Sequence, residues 1–490
     1  MHILSIDQST SGTKVLLVNK EGQIIYKKAM NHKQYYAQPG WVEHNPIEIY
    51  QCVKKLVNES MTEINEKEIV SISITNQRET VVVWDRETGQ PIYNAIVWQC
   101  RRTSDLCEKL KVDGYEEVVQ AKTGLRIDPY FSATKVQWIL QNVEGAKKKA
   151  EQGSLLFGTI DSWLIWNLTG GKVHATDYSN ASRTLLFNIH SLQWDQELLD
   201  IFSIPNQMLP EVRSSNVNFG YINDDSVCIK GLPISGVIGD SQAALFGQRC
   251  LEAGMAKATY GTGTSVMIYT GDLIEGKNGL VTSVAWGIGN RVEYGLEGII
   301  NTTGDIMKWM KEDLRLFTDL EEVSEAASSI NSNEGVYLIP AFVGLGAPYW
   351  YPQAKAAIVG MTRGTNRSHL IRAGLESIAY QVTDVIQLIE EESGISIKEL
   401  RVDGGATSNK FLMQYQADML NNKVKVSRMS DLSALGSAYL AGLFAGIWGS
   451  LEELKGLYQH TEDFQPKMPA AMRKNYYTGW KHHIHSMISC

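Results

Sequence analysis

The chain has 490 residues, too many for one core, so two domains of roughly 200–250 residues are expected. Its 43% hydrophobic and 20% charged residues describe a soluble globular protein, and the formal net charge of −8 argues against nucleic acid or an anionic membrane as a main partner. No apolar stretch approaches the roughly 18–20 residues that span a bilayer, no leader precedes the first strand, and six cysteines without a Cys-x-x-Cys pair form neither a disulfide framework nor a zinc site; a cytoplasmic location is expected.

The predicted elements begin with a three-stranded meander. Residues 3–8 and 14–18 are β-rich runs around a Ser/Thr/Gly turn, and a second turn leads into Ile24-Ile25-Tyr26. Asn45-Pro46 opens a helix over 46–65 with N-cap and first-turn chemistry. Strands follow at 70–74, 81–84 and 95–98, and helices at 104–111 and 132–141; the charged stretch 141–152 reads as surface. The apolar run Ile234–Gly239 reads as a buried strand feeding a helix from Ser241 to Gly247.

From about residue 256 the pattern restarts. Two strands flank Gly261-Thr262-Gly263-Thr264, a long helix covers 366–391, a strand ends at Val402-Asp403-Gly404-Gly405, and helices follow at 409–420 and, Gly-rich and tightly packed, at 433–447. Two halves of similar element order imply duplication of an α/β unit. The boundary is placed near 250, giving domains 1–249 and 250–490.

Three Gly-rich turns, each with a carboxylate nearby, carry the chemistry: Asp7 to Lys14, Asp240 with Gly261 to Thr264, and Asp403 to Ala406. Phosphoryl transfer needs positioning, charge stabilisation and a base for the attacking hydroxyl. Backbone and hydroxyl donors at Thr10, Ser11 and Gly12 suit phosphate oxygens, with Lys14 adding charge; an ordinary hairpin with an Asx turn would look the same. Asp240 reads either as a helix N-cap or as a general base. Gly404-Gly405 reads as a plain turn or as a close approach to a ligand. Arg78-Glu79 is a surface ion pair or a polyol contact, and Trp98, Tyr130 and Trp350 are core aromatics or walls for a carbon skeleton. His174 and His369 lack metal-ligand spacing. Together the three turns describe what an ATP site requires.

At these residues the chain resembles the FGGY-family carbohydrate kinases, with glycerol kinases the nearest pattern within it. The resemblance runs over nearly the whole length. It rests on Pro39-Gly40-Trp41-Val42-Glu43-His44, Asn76-Gln77-Arg78-Glu79-Thr80, Asp128-Pro129-Tyr130-Phe131-Ser132-Ala133-Thr134-Lys135, Gly158-Thr159-Ile160-Asp161-Ser162-Trp163, Gln242-Ala243-Ala244-Leu245-Phe246-Gly247-Gln248 and Ala347-Pro348-Tyr349-Trp350, among others. It implies two ribonuclease-H-like domains of the actin, hexokinase and Hsp70 superfamily around a central cleft, working with ATP and Mg2+. It implies Asp240 as general base and, with Asp7, as a metal-site carboxylate. Thr10, Ser11, Lys14, Thr262 and Gly304 would meet the phosphates, and Gly405 and Asn409 the adenosine. Arg78, Glu79, Trp98, Tyr130 and Asp240 would hold the polyol. Homo-oligomers, dimers or tetramers, are expected on the same ground.

Two departures bear on substrate. Ser241 stands where glycerol kinases usually have a glutamine, and Ser265 where an aromatic closes their pocket. A site built around hydroxyl partners discriminates strongly when those partners change. The expectation is therefore a four- or five-carbon polyol or ketose, phosphorylated at a terminal hydroxyl, with glycerol as the alternative. An actin- or Hsp70-like ATPase is the reading from another class; the Arg78-Glu79 pair and the lack of a client-binding segment count against it, and intact Asp7 and Asp240 count against a silent sensor.

Overall fold

The structure, a computed structural model, describes residues 1–351, 353–429 and 431–489. The chain divides into two units. The first comprises Met1–Arg249, Thr282–Tyr294 and Asp431–Tyr458, the second Cys250–Val281, Gly295–Ser430 and Gln459–Cys490.

The first unit is built on a five-stranded sheet in the spatial order Ile234–Gly239, Ile69–Asn76, His2–Gln8, Gly12–Val18, Ile24–Asn31. The strands His2–Gln8, Ile69–Asn76 and Ile234–Gly239 run parallel, whereas Gly12–Val18 returns antiparallel, with Asp7 opposite Lys14. Leu4, Ile6, Ile72 and Ile74 alternate with the fully buried Ser5, Ser71 and Ser73, so these strands are covered on both faces. The register aligns Gln8 with Asn76 and Asn76 with Gly239. The carboxyl ends of three parallel strands therefore lie side by side, about 5 Å from strand to strand. Open α/β sheets bind ligands at that edge.

One face of this sheet is covered by the late helix Leu432–Phe444, apolar all round and almost wholly buried. Its glycine lets two backbones meet: a Cβ at Gly436 would stand 1.9 Å from the Ala243 carbonyl oxygen, in the helix Asp240–Gly247. A Cβ at Gly236, whose φ is +68°, would stand 2.3 Å from the Ser437 carbonyl. Ser437 shares hydrogen bonds with Ser5 and Ser73 at 3.0 Å each, so the helix is tied to two strands by buried hydroxyls.

The second unit repeats the plan. An antiparallel hairpin, Met255–Tyr260 with Thr264–Gly271, is followed on one side by the parallel strands Glu399–Asp403 and Val424–Ser427, then by Thr461–Phe464. The long helix Arg367–Ser393 buries Ile371, Leu375, Ile378, Val382 and Ile386 at helical spacing. Asn366 caps its start, and Gly394, at φ +67°, ends it.

Most predicted elements occur near their expected bounds, with instructive exceptions. The helix from Pro46 stops at Ser60, five residues short, because Asn65 caps a separate short turn at Glu66–Glu68. The strand 95–98 is only Ala95–Ile96; the Trp98 amide turns away to the Thr80 hydroxyl at 3.3 Å. The stretch 141–152 is not all surface: it contains the helix Ala146–Glu151, with Ala146 and Ala150 buried.

Candidate active site

In the first unit, Asp7 stands at the end of its strand, 5% exposed, with the Lys14 ammonium 3.5 Å away across the hairpin. Burial raises the Asp7 carboxyl above its usual range, and Lys14 opposes that rise. Lys14 is itself anchored at 2.8 Å by Asp431, which also takes Lys27 at 2.5 Å. The turn between the strands is tight: Ser9 donates to the Gly12 carbonyl through both its amide and its hydroxyl, and a Cβ at Gly12 would stand 2.5 Å from the Met30 carbonyl. Thr10 and exposed Ser11 form its tip.

The neighbouring strand ends in Gln77-Arg78-Glu79-Thr80. Glu79 adopts a left-handed conformation, φ 60°, unusual for a side chain of its size. Its carboxylate is 1% exposed and accepts from Arg183 Nε at 2.7 Å, with Arg78 Nε at 3.7 Å. Burial raises its pKa, and both guanidiniums hold it down. Arg183 is fully buried and also donates to the Ser283 hydroxyl at 2.8 Å. Arg78 reaches the Asp240 carboxylate at 3.4 Å and the Gln242 side-chain oxygen at 3.1 Å.

Asp240 is the first residue of its helix. Its side chain is 40% exposed, unlike the buried Arg78 and Glu79 beside it. Of the two readings the sequence left open, the helix N-cap does not hold: the preceding Gly239 takes that position, and the Asp240 carboxylate accepts from the adjacent Ser241 amide at 2.7 Å. The Gly239 amide is in turn fixed by Ser179, whose hydroxyl donates to buried Asp177. Trp98 donates its indole N–H to Thr10 at 2.9 Å and meets the Tyr130 ring edge-on at 5.3 Å. Arg78, Glu79, Asp240, Trp98, Tyr130, Ser241, Asp7, Thr10, Ser11 and Lys14 thus all belong to the first unit.

In the second unit, three backbone turns come together. The Thr262 carbonyl accepts from Thr303, the Gly261 carbonyl accepts from Gly304, and Gly304 opens the helix to Glu312; a Cβ there would meet Gly261 at 2.4 Å. Gly404, at φ +97°, brings the third turn so close that a Cβ there would stand 2.3 Å from the Tyr260 carbonyl. Gly405 faces open space, and Asn409 caps the helix Lys410–Leu420 through the Leu412 amide. Ser265 donates to buried Glu297 at 2.8 Å and accepts from Lys257 at 3.3 Å.

Among the described residues no group of three or more His, Cys, Asp or Glu side chains forms a metal cage. Asp7 and Asp240, at strand ends two positions apart in the sheet, suit Mg2+, which takes one or two carboxylates together with phosphates and water. No described helix is long and apolar enough to cross a membrane.

Sequence reasoning missed Arg183 and Asp431. Arg183 lies 104 residues from Glu79 and Asp431 lies 417 from Lys14, and neither stands at a strand end.

The FGGY family of carbohydrate kinases matches in two parts, its N-terminal domain over residues 2–247 and its C-terminal domain over 256–445. Glycerol kinases of Bacillus cytotoxicus and Bacillus licheniformis are each 51% identical over 483 residues, 98% of this chain and 97% of theirs. A crystal structure of Plasmodium falciparum glycerol kinase with ADP superposes with a TM-score of 0.95 at 40% identity, covering 99% of this chain and 98% of that one. Xylulose kinase from Lactobacillus acidophilus, at 19% identity and TM-score 0.90, shares the fold.

These relatives overturn the expectation of a four- or five-carbon substrate. That expectation rested on two side chains, Ser241 and Ser265, against identity that runs over almost the whole chain. At Ser265 the hydroxyl is engaged by Lys257 and Glu297, contacts that the residue change alone does not disclose. The actin- or Hsp70-like reading falls with the same matches. With both domains matched and the relatives spanning its length, the chain belongs to the FGGY family of carbohydrate kinases, ATP-dependent phosphotransferases.

Proposed function

We propose that this protein transfers the γ-phosphoryl group of ATP to a terminal hydroxyl of glycerol. The observation that carries this is the half-exposed Asp240 carboxylate, oriented by Arg78 beside the buried Glu79–Arg183 pair. The glycerol kinases matched at 51% identity support glycerol itself.

In this reading the polyol lies against Arg78, Glu79, Trp98, Tyr130 and Ser241. Asp240 accepts the proton of the attacking hydroxyl, the oxygen bonds to the γ-phosphorus, and ADP leaves. Thr10, Ser11, Lys14, Thr262 and Gly304 hold phosphate oxygens, and Gly405 and Asn409 flank the adenosine. Mg2+, held at Asp7 and Asp240, would supply charge neutralisation of the phosphates. Residues 1–249 would form the substrate and phosphate side, and 250–490 the nucleotide side.

The test is coupled ADP release with glycerol, tetritols, pentitols and ketoses. Glycerol should give the highest kcat/KM; a longer substrate surpassing it would overturn the assignment. Asp240→Asn should lower kcat by about 10²–10⁴, the range of general-base catalysis, with Tm unchanged. Near-wild-type turnover would remove Asp240 from the role of base.

A further inference from the structure

The segment Asp128–Lys135 contributes Tyr130 to the proposed polyol site, but its lysine has no part in that account. Lys135 is the third residue of the helix Ala133–Asn142 and is fully buried. Burial opposes its charge, and so does the positive end of a helix dipole. Something in return must hold an ammonium there.

What holds it is backbone. Lys135 Nζ donates to the carbonyl oxygens of Pro129, of Tyr130 at 2.8 Å and of Phe131 at 3.0 Å. An ammonium has three donors, and all three are used on three consecutive carbonyls. No neutral side chain of that length supplies three. The same loop is pinned elsewhere: Asp128 accepts from the Tyr130 amide at 2.8 Å, and the Ser132 hydroxyl donates to the Glu79 carbonyl at 3.0 Å. The ring delivered by this arc stands edge-on to Trp98.

We propose that Lys135 is a positioning residue for polyol binding, its ammonium gathering the carbonyls of residues 129–131 so that the Tyr130 ring stands against Trp98. This rests on the reading that those two rings flank glycerol.

The groups acting on the ammonium are Glu79 and Asp128 and the thiols of Cys100 and Cys107, and the Arg183 guanidinium lies over the Phe131 ring at 5.1 Å. Burial lowers the Lys135 pKa to about 8, against the partial support of those carboxylates and thiols. Burial pushes the Cys107 thiol up to about 12, outside the relevant range. Above pH 8 the amine keeps two donors for three carbonyls, and the arc loosens. The folded value lies below that of a free lysine, so proton loss between about pH 8 and 10 favours the folded chain. Weakened binding without a fall in Tm therefore separates positioning from unfolding.

The experiment measures glycerol affinity calorimetrically without ATP from pH 7 to 9.5, in the wild type, in Lys135→Met and in Cys100→Ser, which removes one of the two thiols. The expected result is a several-fold weaker affinity above pH 8 in the wild type and in Cys100→Ser, with Tm undiminished. Lys135→Met should bind at least about ten-fold more weakly throughout, with a flat profile. In parallel, the near-UV circular dichroism of the Trp98–Tyr130 pair, taken as wild type minus Trp98→Phe, should shrink above pH 8 and vanish in Lys135→Met. A pH-independent affinity and an unchanged dichroism overturn the proposal. Absence of glycerol binding in the wild type would instead sink the substrate reading, and the dichroism would still decide the role of Lys135. If Lys135→Met does not fold, the wild-type profile alone decides.

Discussion

At the residue scale, the site depends on a carboxylate that cannot stand alone. Glu79 is buried, and the nearest charge after Arg183 is Arg78 at 3.7 Å. Removing one member of a buried pair typically costs about 3–5 kcal/mol, because the other stays desolvated. Arg183→Met should therefore lower Tm by roughly 6–20 °C for a unit of this size, and adding Glu79→Gln should restore much of the loss. A thermal scan in which the single variant melts with the wild type would show that the pair is not a structural necessity. Arg78, Glu79 and Asp240 were legible in the sequence because each follows a recognisable strand, where side chains meet ligands. Arg183 was not, because nothing in Asn180-Ala181-Ser182-Arg183-Thr184 signals a partner 104 residues away. Ser265 misled for a related reason: the loss of an aromatic is visible in a sequence, whereas the Lys257 and Glu297 side chains that meet its hydroxyl are not.

At the scale of elements, the two adjacent glycines at the third turn have separate duties. Gly404 has φ +97° and ψ 169°, a region essentially closed to other residues, and the Tyr260 carbonyl fills the place of a Cβ. Gly405 meets nothing within 4 Å. Gly404→Ala should cost about 1–3 kcal/mol of stability and, by moving the turn off the Met255–Tyr260 strand, raise the KM for ATP. Gly405→Ala should leave Tm nearly unchanged while raising the KM for ATP, since only a bound nucleotide would oppose the methyl group. Equal effects of the two on Tm would refute this division. The pair was readable in the sequence as a turn, but the division of labour required the neighbouring strand.

At the scale of the whole molecule, the chain leaves the first unit after Arg249 and returns to it twice. The sequence showed a Gly-rich helix near 433–447 and its tight packing, but not its destination. A helix apolar on every side carries no directional signal, so only the serine contacts and the glycine approach reveal that it covers the strands of residues 2–76. A fragment of residues 1–249 should accordingly lack a cooperative thermal transition and a native near-UV spectrum. Joining residues 431–458 to it through a Gly/Ser linker should bring back at least part of that transition. A cooperative melt of the fragment alone would contradict the assignment of that helix to the first core.

The late arrival of this helix has a consequence for biosynthesis. Asp240 and the helix it begins leave the ribosome roughly 190 residues before Leu432 does, about 10–40 s at ordinary elongation rates. Throughout that interval the sheet face bearing Ile3, Ser5, Leu16 and Ser73 exists without the helix that packs on it, so the nascent chain carries an uncovered, partly apolar face that chaperones must shield. Translation stalls between these two points should therefore yield aggregates or degraded chains in place of a dormant first half.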